Sequence, residues 1–289
     1  MKKQYFNEFE FKKALLLYGT DPLECKNRYE EYLKKYPQDY HTYTYYVGVL
    51  IELGEFEYAE KVLNYTIEIS NNDNSFSKEK NKLKQLQENL LYCKLRLLSY
   101  TEKYEELYKL CSDNYGLIKK ISLNNVYFYA KTKNNMIDSS SRENVSYCLR
   151  QMIEYKETDF LKHVKKHLAD CVTDLDNPNK NLFAPDFPIE KVINETRKYI
   201  PSNKCLFPGI IENMYVFKYT SCGKDNNKTV DYFKVVCFHN TQNYITMFPC
   251  VDCENLPYVD LDYLINTNDI PKVKTLSQIE KFNKRFNNK

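Results

Sequence analysis

Two hydrophobic stripes at helical spacing flank Gly54. One runs through Tyr43, Tyr46, Val47 and Leu50, the other through Phe56, Ala59, Val62, Leu63 and Thr66. Apolar positions recurring every three or four residues predict amphipathic helices. Gly54 stands where two paired helices need a tight turn. The register recurs upstream, where Cys25, Tyr29 and Pro37 precede Ala59, Leu63 and Asn71 by 34 residues each. Phe9 and Leu16 supply bulk for a helix before them. Downstream of a polar run over 70–82, Leu83, Leu86, Leu90 and Leu97 mark a further helix, and Tyr104, Leu107, Leu110 and Cys111 its partner. Val126 and Phe128, then Val145, Cys148, Leu149, Met152 and Ile153, form a looser pair. A last stripe over 158–173 carries Leu161, Val164, Leu168, Cys171 and Val172. Paired helices at a fixed period predict an α-solenoid over residues 1–174.

The pattern changes at the prolines and polar residues of 175–188, which read as a linker. Ile189–Tyr199 returns to helical spacing, with Pro188 at its start. Alternating or continuous apolar runs at Asn213–Thr220, Thr229–Phe238 and Tyr244–Pro249 then predict strands, joined by Gly- and Asn-rich segments with hairpin turn chemistry. Ser277–Phe286 reads as a closing helix. The chain as a whole is therefore expected to be α+β and mostly α, with residues 189–289 forming a small domain around a three-stranded antiparallel meander.

Segment 40–71 resembles the tetratricopeptide repeat. Gly54, Phe56 and Ala59 match its turn glycine, aromatic and alanine. Tyr43, Tyr46, Val47 and Leu50 stand at its Trp, Leu, Gly and Tyr positions, and Leu63, Thr66 and Asn71 at its later Phe, Ala and Pro. Pro37 occupies the repeat-ending proline of the unit before. The resemblance implies a protein–protein interaction scaffold or adaptor that takes a peptide or helix in a concave groove and has no chemistry of its own. The groove positions it implies are Glu10, Ala14 and Tyr18 in one unit, and Thr44, Gly48 and Glu52 in the next. The Lys and Asn residues with which some members clamp a terminal carboxylate are not at these positions. Glu10 and Glu52 favour a basic or neutral partner segment.

Composition narrows the field further. With 43% hydrophobic, 15% aromatic and 28% charged residues, the chain has the apolar content for real cores. No run approaches the length of a membrane span, and the N-terminal MKKQYFNEFEFKK is not patterned as an export signal. Only 6 glycines and no P-loop argue against a nucleotide cofactor. Forty-two basic and 39 acidic residues leave a net charge of +3, with no overall footprint for nucleic acid. The basic tail Lys272–Lys289 is the local exception. Ten cysteines without a disulfide framework or an export signal are expected to be reduced. These features predict a cytoplasmic protein without cofactors.

Three constellations carry candidate chemistry. Cys250 and Cys253 form half a zinc knuckle that Cys222, Cys237 and His239 could complete; ordinary packing is the competing expectation. His163, His167 and Cys171 recur every four residues, a spacing compatible with metal and equally with interface packing. Finally, a helix followed by an antiparallel sheet ending in NTQNYITMFP resembles the small ribonuclease toxins of the RelE and barnase-like group. That resemblance implies a metal-independent endoribonuclease in the C-terminal domain, with the repeats regulatory and RNA as partner. Such an enzyme needs a base, a cation for the phosphate and an acid. His239, Lys218 or Lys234, and Thr246 would supply them, with Arg197 from the helix.

Overall fold

The computed structural model describes residues 8–15, 17, 21–73, 80–134, 150–152, 154–169, 181–200, 207–226, 228–239, 241–251, 253 and 258–267. It is an α+β structure, mostly α, in two compact units. One comprises Met1–Val145 with Gly209–Ile211, the other Ser146–Pro208 with Glu212–Lys289.

The first unit is helical. Its described helices are α1 (Glu8–Leu15), α2 (Pro22–Lys35), α3 (Tyr40–Glu52), α4 (Phe56–Asn71), α5 (Lys80–Tyr100), α6 (Tyr104–Asp113), α7 (Tyr115–Lys120) and α8 (Asn124–Lys133). Local chemistry sets their starts. Asp21 accepts from the Glu24 N–H at 3.2 Å with Pro22 at the first helical position. Asp39 accepts from the Thr42 hydroxyl at 2.6 Å and from the Tyr32 hydroxyl at 2.8 Å, which ties the start of α3 to α2. Cys25, Tyr29, Val47, Leu50, Ala59 and Leu63 are essentially inaccessible and share one core. Ala59 is thus buried in the core that its stripe lines.

Three of these helices end in the same left-handed turn. Beyond α3, the Gly54 N–H donates to Ile51 O at 3.1 Å and the Glu55 N–H to Leu50 O at 2.9 Å, with Gly54 at φ +75°. Beyond α5, Glu102 donates to Ser99 O at 3.3 Å and Lys103 to Leu98 O at 3.0 Å, with Glu102 at φ +56°. Beyond α7, Ser122 and Leu123 repeat the pattern, with Ser122 at φ +61°. These turns satisfy the last carbonyls of each helix. Glycine adopts them without cost, whereas an L side chain is strained there by about 1 kcal/mol. A methyl added at Gly54 would meet no atom within 4 Å, so Gly54→Ala should lose about 1 kcal/mol from backbone conformation alone. The exposed Glu102→Gly should gain a similar amount. Urea denaturation of the two variants checks the pair; shifts of the same sign would contradict this account of the turns.

The second unit wraps helices around a sheet. Its described elements are α9 (Glu157–Lys165), β1 (Asn181–Phe183), α10 (Ile189–Tyr199), β2 (Phe207–Pro208), β3 (Glu212–Asp225), β4 (Lys228–Phe238), β5 (Tyr244–Pro249), β6 (Val259–Asp260) and α11 (Leu261–Thr267). The expected meander is present as β3–β4–β5, but among the described residues the sheet has six strands. β1 and β2 pair antiparallel with β3, and β6 runs parallel to it. A register shift between Lys218 and Gly223 bends β3. Phe217 and Phe233 stack at 5.6 Å, and with Tyr215, Val235 and Met247 they meet Val192, Ile193 and Tyr199 of α10. Phe183 and Phe187 stack at 4.3 Å within the same core.

Two expected boundaries move. The stripe placed at the end of the solenoid belongs to the second unit, because Phe160 and Val164 of α9 bury into the sheet's core. The expected linker 175–188 contains β1 and the buried Phe187, so its described part is built into the sheet. Most of the helix expected through Val145–Ile153 lies outside the described residues, as do Ser277–Phe286 and the basic tail.

Candidate functional site

On β3, β4 and β5, residues opposite one another share a face. Tyr215, Val235 and Met247 line the core side, and Val216, Lys234 and Phe248 the other. Lys218 stands opposite Tyr232, and Thr246 opposite Val236. Lys218, Lys234 and Thr246 therefore form a diagonal across one sheet face, each step one strand over and two residues along. Directly opposite Cβ atoms are about 5 Å apart and diagonal ones about 7–8 Å.

His239 does not join them. It is buried in the turn after β4, with its ring 4.6 Å from that of Phe238. Arg197 is committed elsewhere: its guanidinium lies 2.7–2.8 Å from both Glu157 carboxylate oxygens and 5.0 Å above the Tyr244 ring. Tyr155 donates to the same carboxylate. Burial works against ionising Glu157, but the bonds from Arg197 and Tyr155 outweigh it and hold the carboxyl below its ordinary value. The Tyr244 hydroxyl donates to Thr196 at 2.8 Å. Arg197 thus clamps α10 to the start of α9 rather than facing a substrate with Lys234 and Thr246.

A different histidine meets Thr246. His163, on α9, brings Nε2 to 3.1 Å from Thr246 Oγ1. His167, one helical turn on, brings its Nε2 to 3.3 Å from His163 Nε2 and its Nδ1 to 3.3 Å from Asn181 O. The helical spacing of the two histidines is visible in the sequence; their junction with β5 spans 83 positions and carries no local signal. Cys171, the third residue of that spacing, lies outside the described residues. Burial, then His167 and Lys166, push the His163 imidazole down from 6.5 to about 4. The unfolded chain therefore takes up this proton first as the pH falls. The contribution to stability is complete above about pH 6.5 and is lost towards pH 4. The slope is at most about 1.4 kcal/mol per pH unit, less what solvent screens. His163→Gln should flatten that part of the stability–pH curve, which urea midpoints measured from pH 7 to 4.5 would show.

The zinc-knuckle expectation is not met among the described residues. Cys250 and Cys253 are buried with Val216, Tyr232, Phe248 and Tyr258, whereas Cys222 and Cys237 lie in the core on the opposite face of the sheet. The Cys222 thiol donates to Val230 O at 3.2 Å, and burial pushes its pKa up. Among the described residues no three His, Cys, Asp or Glu side chains gather as metal ligands. The seven described cysteines are buried, and none of them is in a disulfide.

In the helical unit, most of the expected groove is covered. Ala14 is fully buried, and Thr44 and Gly48 are buried under α5. The Cys93 thiol donates to Thr44 O at 3.3 Å, and Arg96 donates to Gly48 O at 3.3 Å. Glu52, expected exposed, is 10% accessible and pairs with Arg96 at 3.5 Å, while Arg96 is 2% accessible and also covers Tyr100. The physical reason is that α5 packs directly on α3, so the side of α3 that repeat matching assigns to a groove is helix interface. Tyr18 lies outside the described residues. Of the five described positions, Glu10 borders a mostly polar cleft of about 490 Å³ that also includes Glu24, Arg28, Glu30, Glu31, Lys34 and Lys35 of α2. Arg28 is paired with Glu24 at 2.8 Å, and Glu30 accepts from the Tyr46 hydroxyl at 2.7 Å.

No described helix is long and apolar enough to cross a membrane. Compared with models of protein families, with curated proteins and with solved structures, the chain matches none of them.

Proposed function

We propose that the chain is an interaction protein, a scaffold or adaptor whose helical unit takes a peptide or helix from a protein partner. The observation that carries this reading is the cleft between α1 and α2, where the four carboxylates of Glu10, Glu24, Glu30 and Glu31 outnumber the three cations of Arg28, Lys34 and Lys35. That small acidic excess favours a basic or neutral segment over an acidic one and moves the contact from the covered α3 positions to α2. Tetratricopeptide-type pairing is supported by the left-handed turn at Gly54 and the buried Ala59. A cytoplasmic location is supported by the seven described cysteines, which are buried and outside any disulfide. Peptide display against the full chain, followed by titration of a selected basic peptide, tests the reading. Glu10→Lys with Glu31→Lys should weaken binding about 2- to 30-fold, at about 0.2–1 kcal/mol per surface charge, and added salt should weaken what remains. Affinity unchanged by the reversal would remove the cleft from consideration.

A second reading is the metal-independent endoribonuclease, favoured by Lys218, Lys234 and Thr246 sharing one sheet face with His163 bonded to Thr246. On that reading His163 replaces His239 as the base. The full chain would then cleave RNA in the presence of a chelator, and His163→Ala would abolish the cleavage.

A further inference from the structure

We propose that His163 and His167 form a binding site for a single borderline transition-metal cation of the Zn²⁺ class, with Thr246 on its rim. The inference rests on neither reading of function. His163 near the end of α9 and His167 in the turn just beyond it converge through Nε2, 3.3 Å from one another. Two nitrogens each about 2.0–2.1 Å from a tetrahedral zinc stand about 3.3–3.4 Å apart. The observed separation is therefore one edge of such a coordination sphere. Thr246 Oγ1, 3.1 Å from His163 Nε2, lies at the same edge from β5.

The tautomer of His167 is fixed by its other nitrogen. Asn181 O can only accept, so the 3.3 Å contact to Nδ1 places a ring N–H there. In the neutral ring that leaves a lone pair on Nε2, aimed at His163. A ligating histidine whose remaining N–H is held by a backbone carbonyl is the usual outer-shell arrangement of protein metal sites. Here the carbonyl comes from the start of β1, so the sheet orients a ligand in the turn that follows α9.

The donor set decides the class of ion. Two imidazoles suit zinc, nickel and copper, whereas magnesium and calcium need oxygen cages. Among the described residues no third His, Cys, Asp or Glu joins them. Water would complete the sphere, leaving positions open to exchange.

The test uses the full chain, stripped with chelator and dialysed, and titrated with Co²⁺ and then Zn²⁺. One equivalent of Co²⁺ should give visible bands of nitrogen–oxygen ligation without a thiolate charge-transfer band, and Zn²⁺ should displace it. Losing a ligand should cost at least the ~10–100-fold that loss of an outer-shell partner costs, so His163→Gln and His167→Gln should each weaken binding that much. Cys250→Ser with Cys253→Ser should leave it unchanged. A readout on the unsubstituted protein guards against a variant that fails to fold. The chain has 4 histidines, and Zn²⁺ should shift the Nε2 resonances of His163 and His167 together in imidazole-nitrogen NMR. The proposal is overturned if binding follows the cysteine pair, if either histidine resonance stays fixed, or if no equivalent binds and the pair is only a hydrogen bond from His163 to His167.

Discussion

Glu52→Lys should destabilise the helical unit by about 3–5 kcal/mol, the cost of leaving a buried charge without its partner. As an exposed groove residue Glu52 would tolerate the change, since lysine is a good helix former. The structure places it beside Arg96, which is 2% accessible. Reversal would set two cations against each other under α5, where water cannot screen them. The pair itself need not stabilise much, because desolvating both charges offsets most of their attraction. Glu52→Leu combined with Arg96→Met should therefore come close to the parent. Urea unfolding of the single and double variants separates the cases. A near-neutral Glu52→Lys would mean that α5 does not cover α3.

Gly223→Ala should be as damaging to the second unit, at about 3–5 kcal/mol. A Cβ built on Gly223 would collide with the carbonyl oxygen of Leu182 and come within 2.8 Å of Phe183 Cα. Both are backbone atoms of the paired strand β1, so no side-chain rotation relieves the clash. Overpacking costs about 1–3 kcal/mol. Displacing β1 would also expose part of Phe183, whose full burial is worth about 1.5–3 kcal/mol. Gly116 is the control, because a Cβ there meets nothing within 4 Å. Gly116→Ala in α7 should be neutral or gain about 0.5–1 kcal/mol. Equal unfolding midpoints for the two variants would contradict the β1–β3 pairing.

Local rules made much of the fold legible. β4 and β5 coincide with the runs at Thr229–Phe238 and Tyr244–Pro249 to within a residue, and α10 coincides with Ile189–Tyr199. Their side chains alternate or recur against one common core, so pattern and burial report the same face. Gly54 was legible because only a turn of its handedness needs glycine between two stripes. Glu102 and Ser122 make the same turn without glycine and so leave no mark in the sequence.

What stayed hidden depends on which surfaces meet. The stripe Leu161, Val164, Leu168 reveals an apolar face over 161–168 but not which core it enters, and that core lies in the sheet. Asn181–Phe183 is only three residues among prolines and polar side chains, too short for alternation to register as a strand. Gly223 read as part of a turn, whereas the hairpin turns after Asp225 and the glycine serves the close approach of β1. At the candidate sites, Thr246 could be singled out but not its neighbour. His239 is nearer in sequence and His163 is the one in contact.

The central claim, a partner segment held by the helical unit at the α1–α2 cleft, is tested most directly by hydrogen–deuterium exchange of the full chain with and without a selected basic peptide. The account predicts added protection over Pro22–Lys35, reduced in Glu10→Lys with Glu31→Lys. Protection confined to Glu212–Pro249 of the second unit, with Pro22–Lys35 unchanged, would contradict it.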